Sequence, residues 1–226
     1  YELASVIGAL EACSKNKETL LFNFYRMAAA AIEKGKAGKP YAYVVPPSQD
    51  EFTARRMLER LMLGGLEIHR ALRDFVAGGR TYPEGSYVIF MSQPYRSYAK
   101  DMLEKQHYPE IRVAPEAPPL EPYDATAWTM PLKMGIETIE IDQPFEAQVQ
   151  RCTTIESPES QVSVPEGSPS GGSSNAYLSV ARTSLGSYVF ANRMIKAGFQ
   201  VYTVGDTIAT AARDILPGSL MVPLGK

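Results

Sequence analysis

Apolar side chains follow a helical spacing through the first 35 residues. One stripe contains Leu3, Val6, Ile7 and Leu10, and a similar stripe resumes after the polar residues 14–17. This periodicity predicts two helices, or one bent helix, over residues 2–35. Gly38 and Pro40 then end the helical region, since glycine suits a helix cap and proline cannot continue a helix.

Short apolar strands and amphipathic helices alternate from there to residue 141. The predicted strands cover 41–45, 66–71, 86–91 and 136–141. Between the first two, Met57, Leu58 and Leu61 recur at helical spacing, and Gly64 ends that helix. The strand at 86–91 is too apolar to face water on either side, which is typical of a buried, mostly parallel sheet.

The same pattern starts again after a polar excursion over residues 142–174. Four landmarks of the first unit, residues 41–141, recur at one constant spacing: Met57 as Phe190, Gly65 as Gly198, Ile68 as Val201 and Gly85 as Gly218. We call this spacing of 133 residues the repeat offset. Only the first strand needs a shift of one position from it. The second unit, residues 175–226, lacks counterparts of the later helix and strand of the first.

Two such β-α-β units predict one α/β domain over residues 39–226, after a helical segment at 1–38. Right-handed crossovers would place helices on both faces of a doubly wound, mostly parallel sheet of the flavodoxin or Rossmann type.

Composition narrows the choice of partners. The chain has 226 residues, is 45% hydrophobic and carries a net charge of −2. No basic field favours nucleic acid, and no run approaches the ~18 apolar residues of a membrane span. We therefore expect neither a nucleic-acid partner nor a membrane span. The chain starts at Tyr1 without a signal-peptide pattern, so we expect a cleaved protein or an excised fragment.

Two polar positions carry candidate chemistry. His107 and Glu110 have the H-x-x-E spacing of two zinc ligands, but a zinc site needs a third, and Pro109 interrupts the turn. We expect no metal site there. Ser92 lies between a strand and a helix, as a nucleophile elbow does, yet Phe90 and Pro94 are unsuited to the strained turn of an elbow. A helix cap is the favoured role of Ser92.

The remaining motifs favour structural roles. Cys13 and Cys152 lie outside both repeats, so thiol catalysis at a strand end is not expected; a disulfide between them is an open alternative. The run Gly167–Gly172 precedes a strand, whereas a phosphate loop follows one, so we interpret it as a linker. We predict no catalytic or cofactor-binding residue, with Ser92 as the weak catalytic candidate.

The run from Tyr41 to Ile141 resembles the region that follows the catalytic domain in large bacterial proteins of the zinc carboxypeptidase family. The resemblance rests on Tyr41–Pro47, Gly65–Ala71, Tyr82–Val88, Gln93–Arg96, Pro122–Trp128 and Pro131–Gly135. It implies an α/β domain similar to class I glutamine amidotransferases, in a protein exported to the periplasm or secreted. Zinc and its ligands would then belong to a peptidase domain upstream of Tyr1.

Three hypotheses follow. The first is a non-catalytic accessory domain that stabilises the upstream peptidase domain or presents peptide substrate to it. The second is an active amidotransferase-like hydrolase that uses Ser92 or a cysteine. The third is a small-ligand or nucleotide-binding module that uses the carboxyl ends of the strands.

Overall fold

A computed structural model describes residues 2–47, 50–107, 109–121, 129–155, 177–182, 184–210 and 214–223. Its helices are α1 (Glu2–Lys15), α2 (Lys17–Ala37), α3 (Glu51–Leu63), α4 (Arg96–Leu103), α5 (Met130–Met134) and α6 (Leu185–Lys196). Its strands are β1 (Ala42–Val45), β2 (His69–Ala71), β3 (Phe75–Ala77), β4 (Arg80–Tyr82), β5 (Tyr87–Phe90), β6 (Ile139–Ile141), β7 (Val149–Arg151), β8 (Tyr177–Val180), β9 (Tyr202–Thr203) and β10 (Leu220–Pro223).

The two N-terminal helices form an extended arm. Helical hydrogen bonds continue through Asn16, whose N–H donates to Ala12 and whose carbonyl accepts from Leu20. We call residues 2–37 the helical arm; at 1.5 Å per residue it is roughly 50 Å long. Gly35, near its end, is its buried residue and lies against the carbonyl group of Met91.

Helix α3 follows from local sequence. The carboxylate of Asp50 accepts a hydrogen bond from the Thr53 N–H at 3.0 Å and so caps its first turn. The face formed by Met57, Leu58 and Leu61 is fully buried. Gly65, with a φ of 95°, takes the left-handed conformation that ends the helix.

The main sheet is antiparallel, so the predicted doubly wound, mostly parallel sheet is wrong. Its strand order is β6-β1-β5-β2-β7, and every neighbouring pair is antiparallel. Strands β1 and β2, joined by α3, do run parallel to each other, but β5 lies between them. The unit is a split β-α-β motif, not a Rossmann or class I glutamine amidotransferase-like fold.

The burial of β5 on both faces has a cause other than a parallel sheet. Ile89 and Met91 pack in a core with α3, α4 and α5. Val88, on the other face, packs under the β3–β4 hairpin and the segment around Phe145. A hairpin and an irregular segment thus exclude water where a doubly wound fold would place helices. Residues 142–151, which the sequence assigned to the polar excursion, supply this cover and strand β7.

The second unit has the same split arrangement. Its sheet has the order β8-β10-β9 and is antiparallel throughout. The bridge between Ile208 and Ile215 is the counterpart, at the repeat offset, of the hairpin pair Phe75 and Tyr82. Its core contains Phe190, Met194 and Val222, with Leu178, Val180 and Val201 packed against them.

The predicted shift of one position between the first strands of the two units is wrong. In the structure, these strands align two positions beyond the repeat offset. Tyr43 and Val45 face α3, and the residues that face α6 in the same way are Leu178 and Val180. Side chains alternate between the faces of a strand, so a shift of one position would turn the strand inside out.

Candidate binding surfaces

Ser92 lies on the surface ahead of helix α4, and its predicted role as helix cap is wrong. The N-cap of α4 is Tyr95, further along the chain. The buried neighbours of Ser92 hold this turn in place: Gln93 donates to the Phe90 carbonyl at 2.6 Å, and Arg96 donates to the Lys39 carbonyl at 2.8 Å. The Ser92 side chain itself is exposed.

His107 and Glu110 lie in irregular chain beyond the end of α4 at Leu103. Both are exposed, and the Glu110 carboxylate accepts a hydrogen bond from Arg112 Nε at 2.7 Å. Without a helix here, the H-x-x-E spacing does not place the two side chains on one turn. Within the described ranges, no group of three His, Cys, Asp or Glu side chains could hold a metal ion.

The two cysteines are free thiols in different environments. Cys13 is exposed on α1, and Cys152 is half-buried directly after β7. Burial raises the pKa of the Cys152 thiol, which disfavours the reactive thiolate. The disulfide alternative is therefore not formed in this structure. The glycine-rich run Gly167–Gly172 falls outside the described residues.

A small cavity lies beside Pro46 and Pro47, where β1 ends and α3 begins. Its volume is about 270 Å³, and its charged lining consists of Arg55, Arg70, Glu51 and Glu84. Arg55 donates to Glu51 at 3.0 Å. The guanidinium of Arg70 lies over Gly85. Equal numbers of positive and negative groups thus surround one enclosed space at a strand end.

His69, in strand β2, is a half-buried ionisable group outside the predicted site residues. Its ring meets Phe90 edge-on at 5.3 Å, and its Nδ1 is buried without a hydrogen-bond partner among the described residues. Burial lowers the pKa of this imidazole. A histidine within an apolar strand pattern is the signal that marks it.

The helical arm carries the largest concentration of exposed apolar side chains. Ten of the 26 exposed large hydrophobic residues in the described part of the chain lie on it. They are Leu3, Val6, Ile7, Leu10, Leu20, Leu21, Phe22, Phe24, Tyr25 and Met27. The ten side chains form one group at residues 3–10 and another at residues 20–27. Exposed apolar surface is found where proteins bind other proteins or membranes. No described helix is long and apolar enough to cross a membrane.

A second apolar surface lies on the second unit. We call the sheet face turned away from α6 the outer face; Tyr177, Tyr202, Met221 and Pro223 project from it. Together with Ile208 and Ile215 they line an open cavity of about 780 Å³. Tyr177 and Tyr202 are each more than half exposed.

Comparison with known proteins found no matching family model, curated protein or solved structure.

Proposed function

We propose that this chain is a non-catalytic accessory domain that binds the rest of a larger protein through its helical arm. The observation that carries the proposal is the set of ten exposed apolar side chains on the arm. An isolated helix of this composition gains most of its stability by packing its apolar surface against a partner. The buried Gly35 anchors the arm to the fold at one end, and residues 2–27 of the arm are exposed.

The resemblance to the tail of zinc carboxypeptidases is the basis for proposing the nature of the larger protein. That protein would be an exported metallocarboxypeptidase, with zinc and the peptide-cleaving residues in a domain upstream of Tyr1. The accessory domain would stabilise that domain or present peptide to it. The coding sequence upstream of Tyr1 tests this: we expect an H-x-x-E pair and a distant third histidine there, and without them the parent is not a zinc carboxypeptidase.

The accessory role is tested on the purified chain. We expect it to retain much less than one zinc ion per chain after dialysis, and to release no C-terminal amino acids from peptides. Elemental analysis and a peptide-hydrolysis assay measure both. Stoichiometric zinc or hydrolysis would show a catalytic domain instead.

The cavity beside Pro46 and Pro47 favours a second candidate function, a small-ligand-binding module. Arginine binds carboxylates and glutamate binds ammonium groups, so the lining suits a small zwitterion such as a free amino acid. Calorimetric titration with free amino acids tests this. Arg70→Ala should abolish the heat of binding, whereas Arg73→Ala, which alters an exposed residue outside this cavity, should leave it unchanged.

A further inference from the structure

The first unit covers a sheet face whose counterpart in the second unit has no cover from the described residues. Ala42 to Val45 of β1 are all buried. Tyr43 and Val45 face α3, whereas Ala42 and Val44 lie on the opposite face in a cluster with Phe145. Strand β6 pairs with the edge of β1 that faces away from β5, and Phe145 stacks between Phe75 and Phe90 at centroid distances of 5.7 and 5.8 Å.

The residues that hold Phe145 have counterparts in the second unit. At the repeat offset, Phe75 corresponds to Ile208 and Phe90 to Pro223. Both Ile208 and Pro223 line the cavity of about 780 Å³. We call residues 139–145 of the first unit, which supply β6 and Phe145, the covering segment. The cavity thus lies where the first unit holds the aromatic side chain of this segment.

The edge strand shows the same contrast. Strand β8 corresponds to β1, yet Tyr177 is exposed and the next three residues are only half-buried. Within 177–182, 184–210 and 214–223, β8 pairs with β10 alone. No described strand of this unit pairs with the other edge of β8, so the main-chain groups along that edge can pair with a strand from a partner.

We propose that the outer face of the second unit binds an extended segment of a partner polypeptide. The segment adds an antiparallel strand to β8 and places an aromatic side chain between Ile208 and Pro223. In strand addition, main-chain hydrogen bonds provide affinity and side-chain pockets provide specificity. The pattern expected in the partner is that of the covering segment itself: Ile139, Ile141 and Phe145, or I-x-I-x-x-x-F.

Apolar shape, and not charge, selects this partner. The cavity is lined by two tyrosines, two isoleucines, a methionine, a proline and a threonine. Since this lining carries no charge, we expect binding to depend little on salt.

A fluorescein-labelled peptide with the sequence of residues 136–151 is the probe. We expect saturable binding of one peptide to the full chain. Replacing the phenylalanine that corresponds to Phe145 by alanine should weaken binding at least about tenfold, as loss of an aromatic anchor does. Tyr202→Ser in the protein should weaken it to a similar extent.

Tyr188→Ser is the matched control, because Tyr188 is also half exposed but lies on α6, away from the cavity. It should leave the dissociation constant unchanged, and circular dichroism should show that both variants are folded. The proposal is wrong if no saturable binding occurs, or if Tyr202→Ser leaves binding unchanged. It is also wrong if Phe145→Ala in the protein strengthens binding. The peptide would then bind to the first unit, in place of the protein's own residues 136–151. If the chain dimerises in sedimentation and Tyr202→Ser restores the monomer, a second copy is the occupant instead.

Discussion

His69 makes the stability of the first unit depend on pH. Burial holds its pKa below the ordinary value of 6.5. Below pH 6.5 the unfolded chain therefore binds a proton that the folded chain does not. The resulting stability is fully present above pH 6.5 and is lost as pH falls towards the folded pKa.

We predict that the free energy of unfolding falls between about pH 7.5 and 5.5, and that His69→Leu reduces this fall. Urea denaturation followed by circular dichroism measures it. His107→Leu removes the other histidine, which is exposed, and should keep the wild-type pH dependence. An equal effect of both substitutions would contradict the assignment to His69.

Two glycines of the helical arm differ in the space that a side chain would have. A Cβ on Gly35 would lie 2.0 Å from the carbonyl oxygen of Met91, whereas a Cβ on Gly8 would meet no atom within 4 Å. We predict that Gly35→Ala destabilises the fold by about 1–3 kcal/mol through overpacking. Gly8→Ala should instead increase helix content, since alanine is favoured over glycine by roughly 1 kcal/mol inside a helix. Thermal denaturation of both variants measures the difference, and a stable Gly35→Ala protein would show that the arm is not anchored there.

At the scale of elements, the helical arm should control association. In the isolated chain the apolar surface of the arm has no cover from a partner, and such surfaces associate. We predict concentration-dependent association in sedimentation, which Phe24→Glu reduces. Because Phe24 is 73% exposed, the substitution should change the free energy of unfolding by no more than about 0.5 kcal/mol.

Thr19→Glu is the control for this experiment, because it adds the same charge to the same helix without removing apolar surface. It should leave association close to that of the wild type. Equal effects of the two substitutions would show that charge, and not apolar contact, governs association.

The positions of many elements could be predicted from the sequence, but the pairing of the strands could not. Helical periodicity marks α3 and α6 because each buries one stripe of side chains. The apolar run of β5 only shows that both of its faces are covered. It does not distinguish covering helices from the β3–β4 hairpin and Phe145. A parallel sheet with covering helices is therefore only one of the structures that this apolar run fits.

The binding surfaces were harder to predict for a related reason. The apolar stripe of the arm is the same whether the arm packs inside the molecule or is exposed. A ligand site at the carboxyl end of a strand stays a prediction; the cavity beside Pro46 and Pro47 lies at the end of β1. The exposed outer face of the second unit could not be predicted from the sequence. Its exposure depends on whether another segment covers the sheet, and the apolar pattern of the strands does not show this.

At the scale of the whole molecule, the duplicated units have cores of different size. Among the described residues, the first unit has buried clusters of thirteen and eight residues, and the second has a cluster of three. Because burial of apolar surface is the main stabilising term, the second unit should unfold first. We predict two transitions in urea, with amides of β8 and β10 exchanging hydrogen faster than those of β1 and β5.

Leu61 and Met194 test this as a matched pair, since they correspond at the repeat offset and both are fully buried. Leu61→Ala should lower the stability measured in the higher transition by about 2–5 kcal/mol, the usual cost of such a cavity. Met194→Ala should shift only the lower transition. A single transition that both substitutions shift would mean that the contacts between α3 and α6 join the two units into one cooperative core. The duplication would then be one of topology without independent stability.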